Sequence, residues 1–262
     1  MIYTIEYWDG DNVDLEYNEE KHSYMVDGEK VPSVTRVIDA VFPKYLTDWA
    51  TKAGADWWLN THILEGYTDD YFLGNPQEAD IEMQNITYNG IRYAHKEISK
   101  AAQEIGSEVH RWIELYIKGK MIGVEAETDY PERVKVPMQN FHKWADAHDI
   151  EWESCEEKIY SRNWQYAGTV DAVAKINGKR CVIDFKTSAK IYKEYYLQVA
   201  AYVSAIGEMR GELPELGVIV RLDKEEGKFQ EVAFDPWQHT DVFIDALNIK
   251  RFQSDRIKKV KL

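Results

Sequence analysis

Short runs of alternating apolar and polar positions predict β-strands in the second half of the chain. A helical period of apolar positions separates the third run from the fourth. The predicted strands cover residues 152–161, 168–176, 180–186, 217–222 and 228–234, and the helix between them ends near residue 206. Strands and helices in this order indicate an α/β or α+β protein with a mixed central sheet flanked by helices.

Helical periodicity dominates the first half of the chain. Apolar residues recur on one face from Ile98 to Ile117, and a small hairpin around Asp27-Gly28 precedes a helix that opens at Ser33. We expect a loop-like interval around residues 67–89. The predicted organisation is an acidic segment with a hairpin at 1–30 and one domain at 31–262, made of a mainly helical part (31–150), a sheet with its helix (151–235) and a basic final helix (236–262).

The dipeptide Asn177-Gly178, between two β-branched runs, predicts a two-residue hairpin with a type I′ turn. Such a loop fixes which residues face each other. The expected pairs are Ile176 with Lys179, Ala174 with Cys181, Val173 with Val182, and Asp171 with Asp184. Directly opposed like charges destabilise a strand pair, so a cation is needed beside the two aspartates. Lys186 shares their face, because side chains alternate along a strand.

Two facing aspartates and a lysine have the chemistry of a metal site. Mg²⁺ takes carboxylate oxygens together with water and substrate phosphate, and a lysine can orient the water or offset charge. In the alternative reading, Asp171 and Asp184 are solvent-facing residues at strand ends, and Lys186 is their ion-pair partner. The apolar neighbours of both aspartates favour buried strands, in which carboxylates need partners.

Six short motifs follow one another between residues 31 and 205. They occupy residues 32–38, 106–110, 157–161, 168–171, 184–186 and 198–202. Their order resembles the PD-(D/E)XK nuclease superfamily, and within it the RecB-like exonuclease branch. The resemblance implies a restriction-endonuclease-like core with a helical amino-terminal region, and a metal-dependent nuclease activity.

The resemblance also implies roles for single residues. His110, Asp171, Asp184 and the backbone carbonyl of Phe185 would hold Mg²⁺ or Mn²⁺, and Lys186 would act on the attacking water. The implied supporting residues are Glu157, Gln198 and Tyr202. Glu156 adjoins Glu157, so one of the two must point elsewhere. Without the resemblance, His110 would be taken for a surface or core histidine. Residues expected to touch substrate are Trp164, Tyr166, Thr187, Ser188 and Lys190.

Composition narrows the class of protein. The 262 residues are 44% apolar and 30% charged, as is ordinary for a globular protein. No apolar run approaches the roughly 18 residues that span a bilayer, and the first residues lack the features of a signal or transit peptide. We therefore expect a cytoplasmic protein with no membrane partner. Only two cysteines are present, whereas an iron–sulfur cluster needs four, so no cluster is expected.

The net charge of −14 weighs against a nucleic-acid partner, but its distribution does not. Residues 1–30 hold nine acidic and two basic side chains, which is half of the excess. Residues 175–193 hold six basic side chains against one acidic, and residues 250–262 hold six against one. These two stretches are candidate phosphate-contact surfaces, although a basic chain end is equally consistent with a solvated helix end.

Aromatic residues cluster in the amino-terminal third of the chain. Single-strand binders stack bases on such side chains, so the cluster could form an arch over the site. The other interpretation is that the cluster is ordinary helix core. Its members are Trp49, Trp57, Trp58, Tyr67, Tyr71 and Phe72.

The sequence therefore predicts a Mg²⁺- or Mn²⁺-dependent exonuclease that prefers single-stranded DNA ends, with replication or recombination proteins as potential partners. Two alternatives stay open. One is a structure-specific or restriction-type endonuclease on the same core. The other is a non-hydrolytic DNA-binding module with a degenerate nuclease fold.

Overall fold

A computed structural model describes residues 1–42, 47–64, 79–125, 128–225 and 227–254. No helix among these residues is long and apolar enough to cross a membrane. The chain divides into two compact units, residues 1–43 with 108–262 and residues 44–107. The elements are β1 (Ile2–Glu6), β2 (Asn12–Asn18), β3 (Ser23–Val26), β4 (Glu29–Val31), α1 (Val34–Val41), α2 (Thr47–Leu64), α3 (Ala79–Ile122), α4 (Glu132–Asp146), β5 (Ile150–Ser161), β6 (Tyr166–Ile176), β7 (Lys179–Lys186), α5 (Lys193–Arg210), β8 (Leu216–Leu222), β9 (Phe229–Phe234) and α6 (Trp237–Ser254).

The central sheet has the strand order β5-β6-β7-β8-β9. Neighbouring strands are antiparallel except β7 and β8, which are parallel. Parallel neighbours need a long crossover connection, and α5 provides it. The sheet is therefore mixed and packed with helices, which confirms the predicted α+β class.

The hairpin of β6 and β7 has the predicted turn. Asn177 and Gly178 have φ angles of 51° and 81°, and a type I′ turn requires positive φ at both positions. Pairing runs from Ile176–Lys179 to Ala172–Ile183, which confirms three of the four expected pairs, all except Asp171 with Asp184. Asp171 lies one position beyond this pairing.

Strand β7 is buried on both faces. Residues 181–185 are all at most 1% exposed. The Phe185 ring contacts Phe141 and Trp144 of α4, each with ring centroids 5.5 Å apart. Asp184 faces the other way, towards α5. Burial on both faces gives the continuous apolar run typical of a strand in a covered sheet. It also means that Asp184 must find its partners inside the protein.

The amino-terminal residues form a second, antiparallel sheet with the order β1-β2-β3-β4. Only its β3–β4 hairpin was predicted, and there Asp27 and Gly28 both have positive φ, as expected for the turn. Ile5, Leu15 and Tyr24 join the hydrophobic core that contains β6 and α5. The acidic segment is thus packed beside the central sheet.

The unit of residues 44–107 contains α2 and the first part of α3. A Cβ added at Gly90 would lie 2.0 Å from the Trp57 ring, so this ring packs directly on the backbone of α3. Trp49 contacts the ring of His95 at 6.3 Å. The prediction of a loop at residues 79–89 is wrong, since α3 begins at Ala79. Tyr67, Tyr71 and Phe72 lie outside the described residues.

Gly211 and Gly123 offer a matched stability test. Both follow a helix, with φ angles of 67° and 72°. A Cβ at Gly211 would lie 2.5 Å from the Trp8 ring, whereas Gly123 has nothing within 4 Å. We expect Gly123→Ala to lower the free energy of unfolding by about 1–2 kcal/mol through backbone strain. Gly211→Ala should cost about 1–3 kcal/mol more, because Trp8 must move. Urea denaturation measures both, and equal losses would contradict the packing.

Candidate functional site

Asp184, near the end of β7, is completely buried. Its Oδ1 accepts hydrogen bonds from Lys186 Nζ at 2.7 Å and from Gln198 Nε2 at 3.0 Å. Its Oδ2 is buried without a hydrogen-bond partner among the described residues. Burial raises the pKa of Asp184 to about 6, although Lys186 opposes the shift. A buried carboxylate oxygen without a partner is costly, and a bound cation would satisfy it.

Asp171, in β6, lies between the backbone of β7 and a histidine from α3. Its Oδ2 accepts the N–H of Phe185 at 2.8 Å, and its Oδ1 lies 3.5 Å from Nδ1 of His110. Burial works to raise the pKa of Asp171, but the neighbouring His110 holds it below the usual value. Burial works to lower the pKa of His110, and Asp171 reverses this and raises it to about 8. The structure thus brings His110 to the predicted aspartate.

Glu156 completes a cluster with these two residues. The ladder of β5 and β6 pairs Cys155 with Ala172 and Glu157 with Val170, which places Glu156 opposite Asp171. Glu156 has a φ of 50°, an uncommon backbone conformation for a non-glycine residue. Ligand atoms of His110, Glu156 and Asp171 all lie within 4.8 Å of one another. The pKa of Glu156 is raised to about 7, mainly because the carboxyl is buried and in second place because the negative charge of Asp171 is near.

Glu157, the carboxylate expected from the sequence, is not in this cluster. It accepts a hydrogen bond from the Ser154 hydroxyl and forms an ion pair with Arg210 of α5 at 2.8 Å. Arg210 also pairs with Glu153. The structure thus brings Glu156 and not the expected Glu157 to the cluster, because adjacent residues of β5 direct their carboxylates to different partners.

Lys186, Gln198 and Tyr202 lie on the α5 side of the site. Burial would lower the pKa of Lys186, but the charges of Asp184 and Asp171 outweigh it and raise the pKa. The ammonium also lies 4.9 Å from the Tyr195 ring centroid. Gln198 Nε2 donates to the Tyr202 hydroxyl at 3.1 Å, which confirms that these two residues share a face of α5. This network holds Asp184 and Lys186 in place from one helix.

The expected substrate contacts fall into two groups. Tyr166 is fully buried, donates to the carbonyl of Ala201 and packs on Phe243, so the structure corrects its expected role. Trp164 is 39% exposed. Ser188 donates to the carbonyl of Lys190 in the loop after β7, where Thr187 is half-buried and Lys190 is exposed. The roles of Trp164, Thr187, Ser188 and Lys190 stay predictions.

A cavity of 360 Å³ opens over the cluster. His110, Glu156, Asp171 and Tyr202 line it on one side. The amino-terminal segment contributes three aromatic side chains that the sequence motifs missed, Tyr17 of β2, Tyr24 of β3 and His22 of the turn between them. These three residues could not be found from the motifs, because their segment lies outside all six of them.

The residues present fit a divalent cation. Carboxylates are the ligands that Mg²⁺ and Mn²⁺ prefer, and a histidine is a common additional ligand. The cluster offers carboxylates from Glu156 and Asp171, a histidine nitrogen from His110 and, next to them, the unpartnered Oδ2 of Asp184. Phe185 carries its backbone to the same place, since its N–H binds Asp171.

The chain was also compared with known proteins. No family model matches it. A segment of 61 residues is 44% identical to mitochondrial genome maintenance exonuclease 1 of Xenopus tropicalis, and it covers 21% of this chain and 17% of that protein. The name of this relative agrees with the exonuclease resemblance carried by the sequence motifs. The matched segment is thus about a sixth of the length of this relative.

Two solved structures of an exonuclease are similar to the chain over part of its length. One is the alkaline exonuclease LHK-Exo of Laribacter hongkongensis, with 10% identity, 58% of this chain and 90% of that chain covered, and a TM-score of 0.30. The other is LHK-Exo in complex with dAMP, with 11% identity, coverage of 58% and 85%, and a TM-score of 0.33.

Glu156 predicts a pH dependence of stability in metal-free buffer. Its pKa rises from the usual 4.5 to about 7 on folding. As the pH rises, the unfolded chain therefore loses this proton at a lower pH than the folded protein does. The stabilisation that comes from the protonated carboxyl is full below about pH 4.5 and is lost as the pH rises through about 7. We expect the free energy of unfolding in EDTA to fall over this range by on the order of 2 kcal/mol more in the wild type than in Glu156→Gln. Urea titrations across this range measure it, and identical pH slopes would contradict the burial of this carboxyl.

Proposed function

We propose that the protein is a metal-dependent nuclease that hydrolyses phosphodiester bonds in DNA, and that it acts as an exonuclease on single-stranded ends. The observation that carries the proposal is the cluster of His110, Glu156 and Asp171 beside the buried pair of Asp184 and Lys186. The segment shared with a mitochondrial genome maintenance exonuclease supports the same activity.

His110, Glu156, Asp171 and Asp184 would hold Mg²⁺ or Mn²⁺, with the carbonyl of Phe185 as a further ligand. The metal supplies a Lewis acid for the phosphate and lowers the pKa of a bound water. The residues of the chain do the remaining work. The ammonium of Lys186, fixed by Asp184, is placed to orient a water and to offset negative charge that develops on the phosphate.

Gln198 and Tyr202 act as positioning residues in this proposal. Gln198 binds both Asp184 and the Tyr202 hydroxyl, so it fixes the orientation of the carboxylate. Burial keeps the pKa of Tyr202 well above its usual value, and its hydroxyl stays protonated. A rigid arrangement of this kind reduces the reorganisation needed during the reaction.

Hydrolysis of end-labelled DNA tests the proposal. Linear single strands, linear duplex and covalently closed circles are incubated with Mg²⁺, Mn²⁺ or EDTA. We expect loss of the label from linear single strands with either metal, slower loss from duplex, and no reaction in EDTA. Cleavage of closed circles would favour the endonuclease alternative. Binding without hydrolysis under all conditions would favour the non-hydrolytic module.

A further inference from the structure

A second cavity lies beside the first turn of α1 and has a volume of 950 Å³. Its walls come from β3, β4, α1, the turn before β6 and the end of α6. Four cations line it, Lys30, Arg36, Lys250 and Arg251, against two carboxylates, Asp27 and Glu29. The lining of this cavity is therefore positively charged, although the whole chain has a net charge of −14.

The four cations of this basic cavity are available to a ligand. Arg36 and Arg251 donate to the backbone carbonyls of Lys21 and Trp164, contacts that fix their side chains without neutralising their charge. Within the part of the chain that the structure describes, none of the four cations has a carboxylate within ion-pair distance.

Of the two basic stretches proposed from the sequence, residues 250–262 supply Lys250 and Arg251 to this cavity, whereas residues 175–193 are different in this respect. Lys175 pairs with Glu151, Arg180 pairs with Glu153 and Glu212, and Lys186 pairs with Asp184. Much of the positive charge of residues 175–193 is therefore balanced within the protein. The basic cavity is the better candidate for an anionic ligand.

The basic cavity and the site cavity follow the same two segments of the chain. Ser33 and Thr35 line the site cavity, while Pro32 and Arg36 line the basic cavity. Asp171 of β6 lines the site cavity, and Gln165, in the turn just before β6, lines the basic cavity. Six residues of extended chain span about 20 Å. One nucleic-acid strand can reach both only if it extends several nucleotides from the scissile bond.

We propose that the basic cavity binds phosphate groups of the same single-stranded DNA, several nucleotides away from the bond that is cut. The inference rests on the proposed nuclease function and adds a second anchoring point to it. Lys30 and Lys250 are the residues that test it best, because neither side chain has a hydrogen bond or an ion pair with another described residue, whereas Arg36 and Arg251 bind backbone carbonyls. The cavity contacts phosphates and not bases, so the anchoring is independent of sequence.

The test measures binding of fluorescein-labelled oligothymidylate in EDTA, by anisotropy, at roughly 4 and roughly 16 nucleotides. The wild type should bind the longer oligonucleotide more tightly. The length gain is the ratio of the affinities for the longer and the shorter oligonucleotide, and it should fall about tenfold in the double variant Lys30→Gln/Lys250→Gln. The slope of log affinity against log salt should drop by about 1.4, or about 0.7 for each lost phosphate contact. The charge-preserving variant Lys30→Arg/Lys250→Arg should retain the gain.

The matched control is Lys175→Gln/Lys179→Gln, which removes the same charge at the turn end of the β6–β7 hairpin, where neither lysine lines the basic cavity. It should keep the wild-type length gain and salt slope. The proposal is overturned if the wild type binds both oligonucleotides equally well, or if Lys30→Gln/Lys250→Gln binds DNA as the wild type does. It is also overturned if Lys30→Gln/Lys250→Gln and the control Lys175→Gln/Lys179→Gln lose the length gain equally. Binding of labelled polyglutamate is measured in the same way. If Lys30→Gln/Lys250→Gln loses polyglutamate binding while its DNA binding is unchanged, the proposal is overturned in favour of an acidic protein partner.

These measurements separate the inference from the proposed function. If the wild type shows the length gain in EDTA but hydrolyses no DNA with Mg²⁺ or Mn²⁺, the proposed nuclease function is wrong and the proposed role of the basic cavity stands. If the wild type hydrolyses DNA but has the same length gain and salt slope as Lys30→Gln/Lys250→Gln, the nuclease function stands and the proposed role of the basic cavity is wrong. Thermal unfolding of each variant checks that the fold is intact.

Discussion

Replacement of Lys186 by methionine is expected to lower kcat for single-strand hydrolysis by roughly 10³-fold. The ammonium is the cation that contacts Asp184, with a separation of 2.7 Å, and its charge also acts on Asp171. Without it, the developing negative charge on the phosphate loses a fixed positive partner. Methionine keeps the length of the side chain, so the change removes charge with little loss of packing.

The fold should survive this replacement. Asp184 already has a raised pKa because it is buried, and without Lys186 it takes up a proton more readily instead of remaining as an unpaired charge. The hydrogen bond from Gln198 is unaffected. The control is Lys179→Met, an exposed lysine at the other end of β7, which should keep its activity. Wild-type turnover by Lys186→Met in a folded protein would exclude Lys186 from the reaction.

Local signals made the β6–β7 hairpin predictable. Asn177-Gly178 accepts the positive φ angles of a type I′ turn, and the turn fixes the pairing of the residues beside it. The register therefore followed from counting, and the shared face of Asp184 and Lys186 followed from alternation along the strand. Near its end the hairpin departs from a simple ladder, because the Asp171 side chain accepts the backbone N–H of Phe185.

Local patterns mislead where tertiary packing decides the structure. Residues 79–89 belong to the interval expected to be loop-like, yet they lie inside α3, in which the missing side chain of Gly90 makes room for the Trp57 ring. Strands β1 and β2 escaped prediction because each is short and buries a single side chain, Ile5 in β1 and Leu15 in β2. Their stability comes from pairing with each other and from the core beneath them, which no local pattern reveals.

The choice between Glu156 and Glu157 could not be made from the sequence. The ladder of β5 shifts register between Trp152 and Ser154, so alternation along the strand could not be counted from its start. The partner of Glu157, Arg210, lies 53 residues away on α5. The resemblance located an acidic position in this strand, and only the pairing with β6 identifies the carboxylate opposite Asp171.

Exchange of each glutamate for glutamine should separate the two roles. Glu156→Gln removes a charged oxygen ligand from the cluster with His110 and Asp171. We expect its affinity for Mn²⁺ to fall by about 10- to 100-fold and hydrolysis to fall by roughly 10²-fold or more. Its metal-free stability should not fall, because the replaced carboxyl is buried and already has a pKa of about 7.

Glu157→Gln should behave in the opposite way. It breaks the ion pair with Arg210 and weakens the network around that side chain, so the free energy of unfolding should fall by about 1–3 kcal/mol. Affinity for Mn²⁺ and turnover should stay within a few-fold of the wild type, because the carboxylate of Glu157 is bound by Ser154 and Arg210. Electron paramagnetic resonance of Mn²⁺, urea denaturation and single-strand hydrolysis on both variants give the comparison. If Glu157→Gln loses metal affinity while Glu156→Gln retains it, then the sequence motif identifies the ligand correctly and the β5–β6 register does not.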